Sequence, residues 1–142
     1  MKSANFAALE FDNVSFSLPN GVQLINQCSF SIEKPGLWML VGENGSGKST
    51  LFRLISGVIT PESGKIFCSL KPSLVSQNPD HQLLMPTCKS ELMLCVPKTI
   101  PDNKLLGLIK SALEKVDLSE MLDRPIHTLS GGQKQRLALA GA

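Results

Sequence analysis

The stretch GENGSGKST, residues 42–50, decides how the rest of the chain is read. Gly42, Gly47, Lys48 and Ser49 satisfy G-x-x-x-x-G-K-[ST], the sequence form of a phosphate-binding loop. Gly42, Gly45 and Gly47 have no Cβ, so the backbone can curl with successive N–H groups turned toward an anion, and Asn44 and Ser46 belong to the same predicted binding set. Lys48 supplies a point charge. Ser49 can offer its hydroxyl to a Mg²⁺ that bridges the outer two phosphates. A helix opening at Lys48 would add unpaired N–H groups and a positive dipole end.

The flanks agree with that reading. Residues 37–41, LWMLV, are continuously apolar, which predicts a parallel strand covered on both faces. After the loop, Leu51, Phe52, Leu54 and Ile55 recur at helical spacing, and Gly57 is a natural stop.

With 142 residues the chain suits one compact domain. Its 14 basic and 12 acidic residues nearly balance, at +2, and no Lys/Arg run suggests a nucleic-acid partner. The apolar stretches fall far short of the ~20 residues that cross a bilayer, so direct membrane insertion is not expected. Residues 1–5 lack the regions of a secretory signal. Cys28, Cys68, Cys88 and Cys95 form no C-x-x-C pair and have no His at ligand spacing, which predicts small buried apolar residues in a reducing compartment.

In order, alternation across residues 6–16, the turn Pro19-Asn20-Gly21 and renewed alternation over 22–30 predict an antiparallel meander. Residues 65–70, KIFCSL, and 73–77, SLVSQ, read as two more strands. The region 78–101 is irregular, with prolines at 79, 86, 97 and 101 and an apolar segment at 91–96. Residues 101–121 turn helical, with Leu105, Leu108, Ile109, Ala112, Leu113 and Val116 on one face. A last helix starts near Leu129. There, LSGGQ joins a capping-type serine to two glycines, so Ser130, the N–H groups of Gly131 and Gly132, and the dipole behind them form a second phosphate-binding end. It can hold the same anion again or clamp a nucleotide carried by a neighbouring copy.

With GENGSGKST as Walker A, Gln77 in LVSQNPDHQ as the Q-loop, and LSGGQKQRLALAGA as the signature, all in order, the sequence closely resembles the nucleotide-binding subunits of ATP-binding cassette (ABC) transporters. SQNPDHQLLMPT and RPIHTLSGGQKQRLALAG look most like the energising subunits of energy-coupling-factor (ECF) and cobalt-type importers and their organellar relatives. The resemblance implies an α/β P-loop NTPase fold: a β meander over 5–36, a P-loop core with a partial parallel sheet over 37–77, a helical subdomain over 78–128, and the signature over 129–142. It implies ATP and Mg²⁺ as cofactors, with Lys48, Ser49 and Thr50 on the phosphates and metal. Gln77 would contact the Mg²⁺ or the attacking water, and Ser130, Gly131, Gly132 and Gln133 would reach ATP from a second, like or unlike ABC subunit. Residues 78–91 would face a transmembrane partner. Localisation would be cytoplasmic and peripheral at a membrane, or organellar for a plastid-type relative, although residues 1–5 offer no transit peptide.

Two departures stand out. In the family an apolar strand ending in Asp-Glu, then a switch histidine, follows the signature; this chain stops at Ala142, so it is expected to be truncated, without a general base and inactive alone. Glu10 follows four apolar residues but precedes the phosphate loop, and His81 and His127 precede the signature, so none fits those roles by order. Leu18 stands where an aromatic usually stacks on adenine, with Phe16 as a candidate substitute. Three readings follow: an ATPase subunit powering uptake of a small solute such as a metal ion or vitamin, a nucleotide-binding module without turnover that dimerises with intact subunits, and a non-transport ABC protein. The last is disfavoured by LSGGQKQR and by the lack of a coiled-coil insertion.

Overall fold

The first two strands form where apolar and polar residues alternate, and a short turn joins them. In this computed structural model, which describes residues 7–142, β1 (Leu9–Ser17) and β2 (Gln23–Ile32) pair antiparallel. Residues 5 and 6, where the expected meander begins, lie outside the described residues. The turn closes with Leu18 N–H on Val22 O and Gly21 N–H on Leu18 O, both at 2.8 Å, Gly21 taking φ 84°. A third strand, β3 (Ser63–Cys68), pairs antiparallel with the other edge of β1, giving the order β2-β1-β3.

The sheet is bent by bulges. Asn13 and Gln27 sit at φ 49° and 44°, and hydroxyls take over the amides that leave the ladder: Asn13 N–H donates to Ser29 Oγ and Gln27 N–H to Ser15 Oγ, each at 2.9 Å. Phe11, Val14 and Ile25 from the sheet and Leu54 from α1 (Lys48–Ile55) form the core of this unit, and the Phe11 and Phe30 rings stack with centroids 4.6 Å apart.

The strand expected at residues 37–41 does not form. Among the described residues every strand pairing is antiparallel, and the run is turned to solvent, with Leu37 98% and Val41 80% exposed. A doubly covered parallel strand needs hydrogen-bonding neighbours, and none of β1–β3 takes that place. Residues 73–77 also fail to become a strand, and Ser76 N–H donates to the Gln82 side chain at 2.9 Å instead of to a ladder.

From Val75 onward the chain makes a second compact unit of helices. α2 (Cys88–Cys95) grows from the apolar segment at 91–96 and starts in a capping box between Thr87 and Ser90. α3 (Asp102–Lys115) supplies buried Ile109 and Leu113, while Leu108, expected on the same face, is exposed. It ends where Asp117 turns to φ 55° and Leu118 N–H closes on Leu113 O at 2.9 Å. α4 (Gly131–Gly141) completes the core with Leu137 beside Cys88, Leu92, Leu118, Ile126 and Leu129. No described helix is long and apolar enough to cross a membrane.

Candidate functional site

The phosphate-loop residues come together at the start of α1. Gly45 and Gly47 take φ 86° and 88°, values that an L side chain rarely adopts, and these turn the backbone into the helix. Ser46 N–H donates to Glu43 O at 3.2 Å, and the first helical bond runs from Leu51 N–H to Gly47 O at 2.9 Å. The N-cap Gly47 brings no side-chain cap and the first turn holds no acid, so no side chain of the helix competes with an anion for its first amides. A Cβ on Gly42 would come 2.8 Å from Ser46 Oγ, and one on Gly45 would meet nothing within 4 Å. The loop is tight inside and open outside.

Lys48 Nζ donates to Gly42 O at 2.8 Å and to Glu43 O at 2.5 Å, so the ammonium is held over the loop by two of its carbonyls. A phosphate would offer it charged acceptors instead, which make stronger bonds than neutral carbonyls. Ser49 is exposed at the first turn and presents a hard oxygen suited to Mg²⁺. Thr50 is half-buried and Asn44 exposed. Beside the loop lies a cavity of about 440 Å³, lined by Leu24, Ile25, Leu40, Val41 and Lys48.

At the second predicted end, Ser130 caps α4 reciprocally. Its Oγ accepts from Gln133 N–H at 3.3 Å, and Gln133 Oε1 accepts from Ser130 N–H at 2.9 Å. Gln133 thus shapes the turn with its side chain. Added Cβ atoms on Gly131 and Gly132 would meet nothing within 4 Å, so the turn is open to a large anion. Gln77 is exposed in the helical unit.

Phe16 packs against the Phe11–Val14 core while Leu18 is 36% exposed, so the phenylalanine is committed to packing. Glu10 is exposed on β1, and His81 and His127 lie in short 3₁₀ turns. The four cysteines are free, but of the four expected to be buried only Cys88 is: Cys28 and Cys68 are half-buried and Cys95 is exposed. Partial desolvation pushes the Cys68 and Cys88 thiols up, and together with the nearby Glu91 charge does the same to Cys95. No cluster of His, Cys, Asp and Glu among the described residues is fit to hold a metal.

Two features escaped the sequence. Glu91 is only 7% exposed, and its Oε2 accepts from Leu84 N–H at 2.9 Å and Met85 N–H at 2.8 Å. Thr87, a residue type that favours helix N-caps, was a signal for the helix start that places it. Lys134 Nζ meets Asp80 Oδ1 at 2.6 Å across 54 residues of sequence, a pairing that no local pattern announces.

Comparison with known proteins bears directly on this geometry. The pattern of the family described as ABC transporter matches residues 25–142. The chain is 40% identical over 148 residues to the ABC transporter I family member 10 of Arabidopsis thaliana, covering all of this chain and 55% of that protein. It is 34% identical over 149 residues to the energy-coupling factor transporter ATP-binding protein EcfA of Methanosphaera stadtmanae, covering 94% of this chain and 54% of the relative. Among solved structures it resembles cbiO1 from Clostridium perfringens, part of the ABC transporter complex cbiONQ, with a TM-score of 0.78, 26% identity, and coverage of 95% of this chain and 60% of that one. The chain spans about half the length of the curated relatives it matches.

Proposed function

The chain belongs to the ABC transporter family, and from that premise we propose that it binds Mg-ATP as the energising subunit of a transporter whose membrane-spanning part is a separate protein. The loop from Gly42 to Thr50 would hold the phosphates, with Asn44, Gly45, Ser46 and Gly47 contributing backbone and Lys48 the charge. Ser49 would offer its hydroxyl to Mg²⁺. The turn from Ser130 to Gln133 would face the nucleotide of a second subunit, like or unlike. The relatives, an energy-coupling factor transporter ATP-binding protein and a part of the ABC transporter complex cbiONQ, support a transporter as the setting, and the cargo we propose is a small solute such as a metal ion or vitamin taken up by it. Placement would be peripheral at a membrane, in the cytoplasm or in a plastid-type organelle.

One observation carries this reading: the positive-φ glycines open the start of α1 while Lys48 Nζ sits directly over the loop on exchangeable carbonyl partners. The test is Mg-ATP binding by the chain and by Lys48→Ala. Loss of a charge-assisted bond should weaken affinity by about tenfold to a hundredfold. Equal affinity would overturn the reading.

ABC ATPases hydrolyse what they bind, and hydrolysis needs a group that orients water. Within these 142 residues no acid follows the signature. We therefore propose that the residues present bind ATP and that turnover requires groups supplied from outside them. Turnover by this chain alone, lost in Lys48→Ala, would defeat that second statement and leave the first intact.

A further inference from the structure

Gln77 is exposed, yet the residues on both sides of it are anchored. Ser76 N–H donates to Gln82 Oε1 at 2.9 Å. Asn78 caps the 3₁₀ turn Pro79–His81, its Oδ1 accepting from Asp80 N–H at 3.0 Å, and Pro79 is buried. Residues 76–82 thus close on themselves with Gln77 on the outside.

Asp80 ties this loop to the signature helix through its 2.6 Å ion pair with Lys134. The Lys134 side chain is 18% exposed against 60% for Asp80, so the lysine stem is packed and the carboxylate comes to it from the wet side. The backbone N–H of the same lysine donates to Ser130 O at 2.9 Å. A bonded path therefore runs from Asn78, next to Gln77, through Asp80 and Lys134 to Ser130, all inside one compact unit.

A half-exposed ion pair adds little stability. A short charge-assisted bond between two ends that are each held locally fixes register instead. We propose that Asp80 and Lys134 are positioning residues whose ion pair locks the Gln77 loop to the signature turn, so that a phosphate sensed at one is registered at the other. This rests on the reading of the chain as an ATP-binding subunit.

The test titrates the full chain with Mg-ATP and follows two quantities, nucleotide binding and the pairing of copies in sedimentation. Asp80→Asn and Lys134→Met should each raise the Mg-ATP concentration for half-maximal pairing about two- to fivefold, with binding to the unpaired chain unchanged. The exchanged pair, Asp80→Lys with Lys134→Asp, and the conservative Lys134→Arg should restore pairing, which assigns the effect to the ion pair itself; nucleotide binding to the unpaired chain, unchanged in every variant, separates a positioning role from a loss of folding. The inference is overturned by single variants without effect, by a defect the exchanged pair leaves uncorrected, or by a chain that does not pair at saturating Mg-ATP. In those cases the ATP-binding reading stands as long as Lys48→Ala still weakens nucleotide binding. If binding ignores Lys48, both fall.

Discussion

At Gly64 the backbone takes φ 83°, and a Cβ there would lie 2.4 Å from Asn13 O and 2.5 Å from Asp12 O. Both neighbours are backbone in the central strand, at the bulge between Asp12 and Ser15, so they cannot swing aside as a side-chain tip would. Gly64→Ala should therefore cost about 2 kcal/mol or more, the left-handed penalty plus the displacement of a strand. Urea unfolding measures it, and an unchanged midpoint would mean that β3 can shift away from β1 without loss. In the sequence, Thr60-Pro61-Glu62-Ser63-Gly64 reads simply as a turn. The demand for glycine at its last position comes from a strand some fifty residues earlier in the chain, whereas Gly45 and Gly47 were legible because their neighbours in sequence define the loop.

Elements divide along the same line between local and distant causes. α1 and α4 were readable because their start signals are local, and each begins directly after the residue that caps it, Gly47 and Ser130. Residues 37–41 were misread because apolarity shows that a segment resists water but not which strand will lie beside it. α2 shows a different gap: its core-facing acid ties down the preceding loop, a use that hydrophobic patterning cannot express. Replacing Glu91 with Ala leaves the Leu84 and Met85 amides without that acceptor and should destabilise the helical unit by about 1–3 kcal/mol. Glu91→Gln retains an acceptor oxygen and should cost less. Hydrogen exchange at those two amides separates the cases, accelerating in the alanine variant and staying near the parent rate in the glutamine one; equal acceleration in both would assign the effect to charge rather than to acceptance.

Among the described residues, large apolar side chains are presented to solvent in segments without regular structure, and two such segments matter for cleavage. One is residues 37–41, and the other surrounds the junction between the two compact units, where Leu70 is 81% and Val75 38% exposed. A protease that cuts before large apolar residues needs an extended, accessible backbone, so thermolysin should cut in these two segments before it cuts α3 or β1. Mg-ATP should affect them unequally. Leu40 and Val41 line the cavity beside Lys48 and lead straight into Gly42, so a phosphate drawn into the loop also orders the strand-like run before it. If bound chain resists cutting there, the rate at 37–41 falls by the factor 1 + [L]/Kd, about tenfold at ten times Kd, while the junction is cut at its original rate. Lys48→Ala should abolish that protection at the same nucleotide concentration. Protection of both segments alike would mean that ATP orders the chain through contacts outside the loop, and protection of neither would separate the apolar run from the site it leads into.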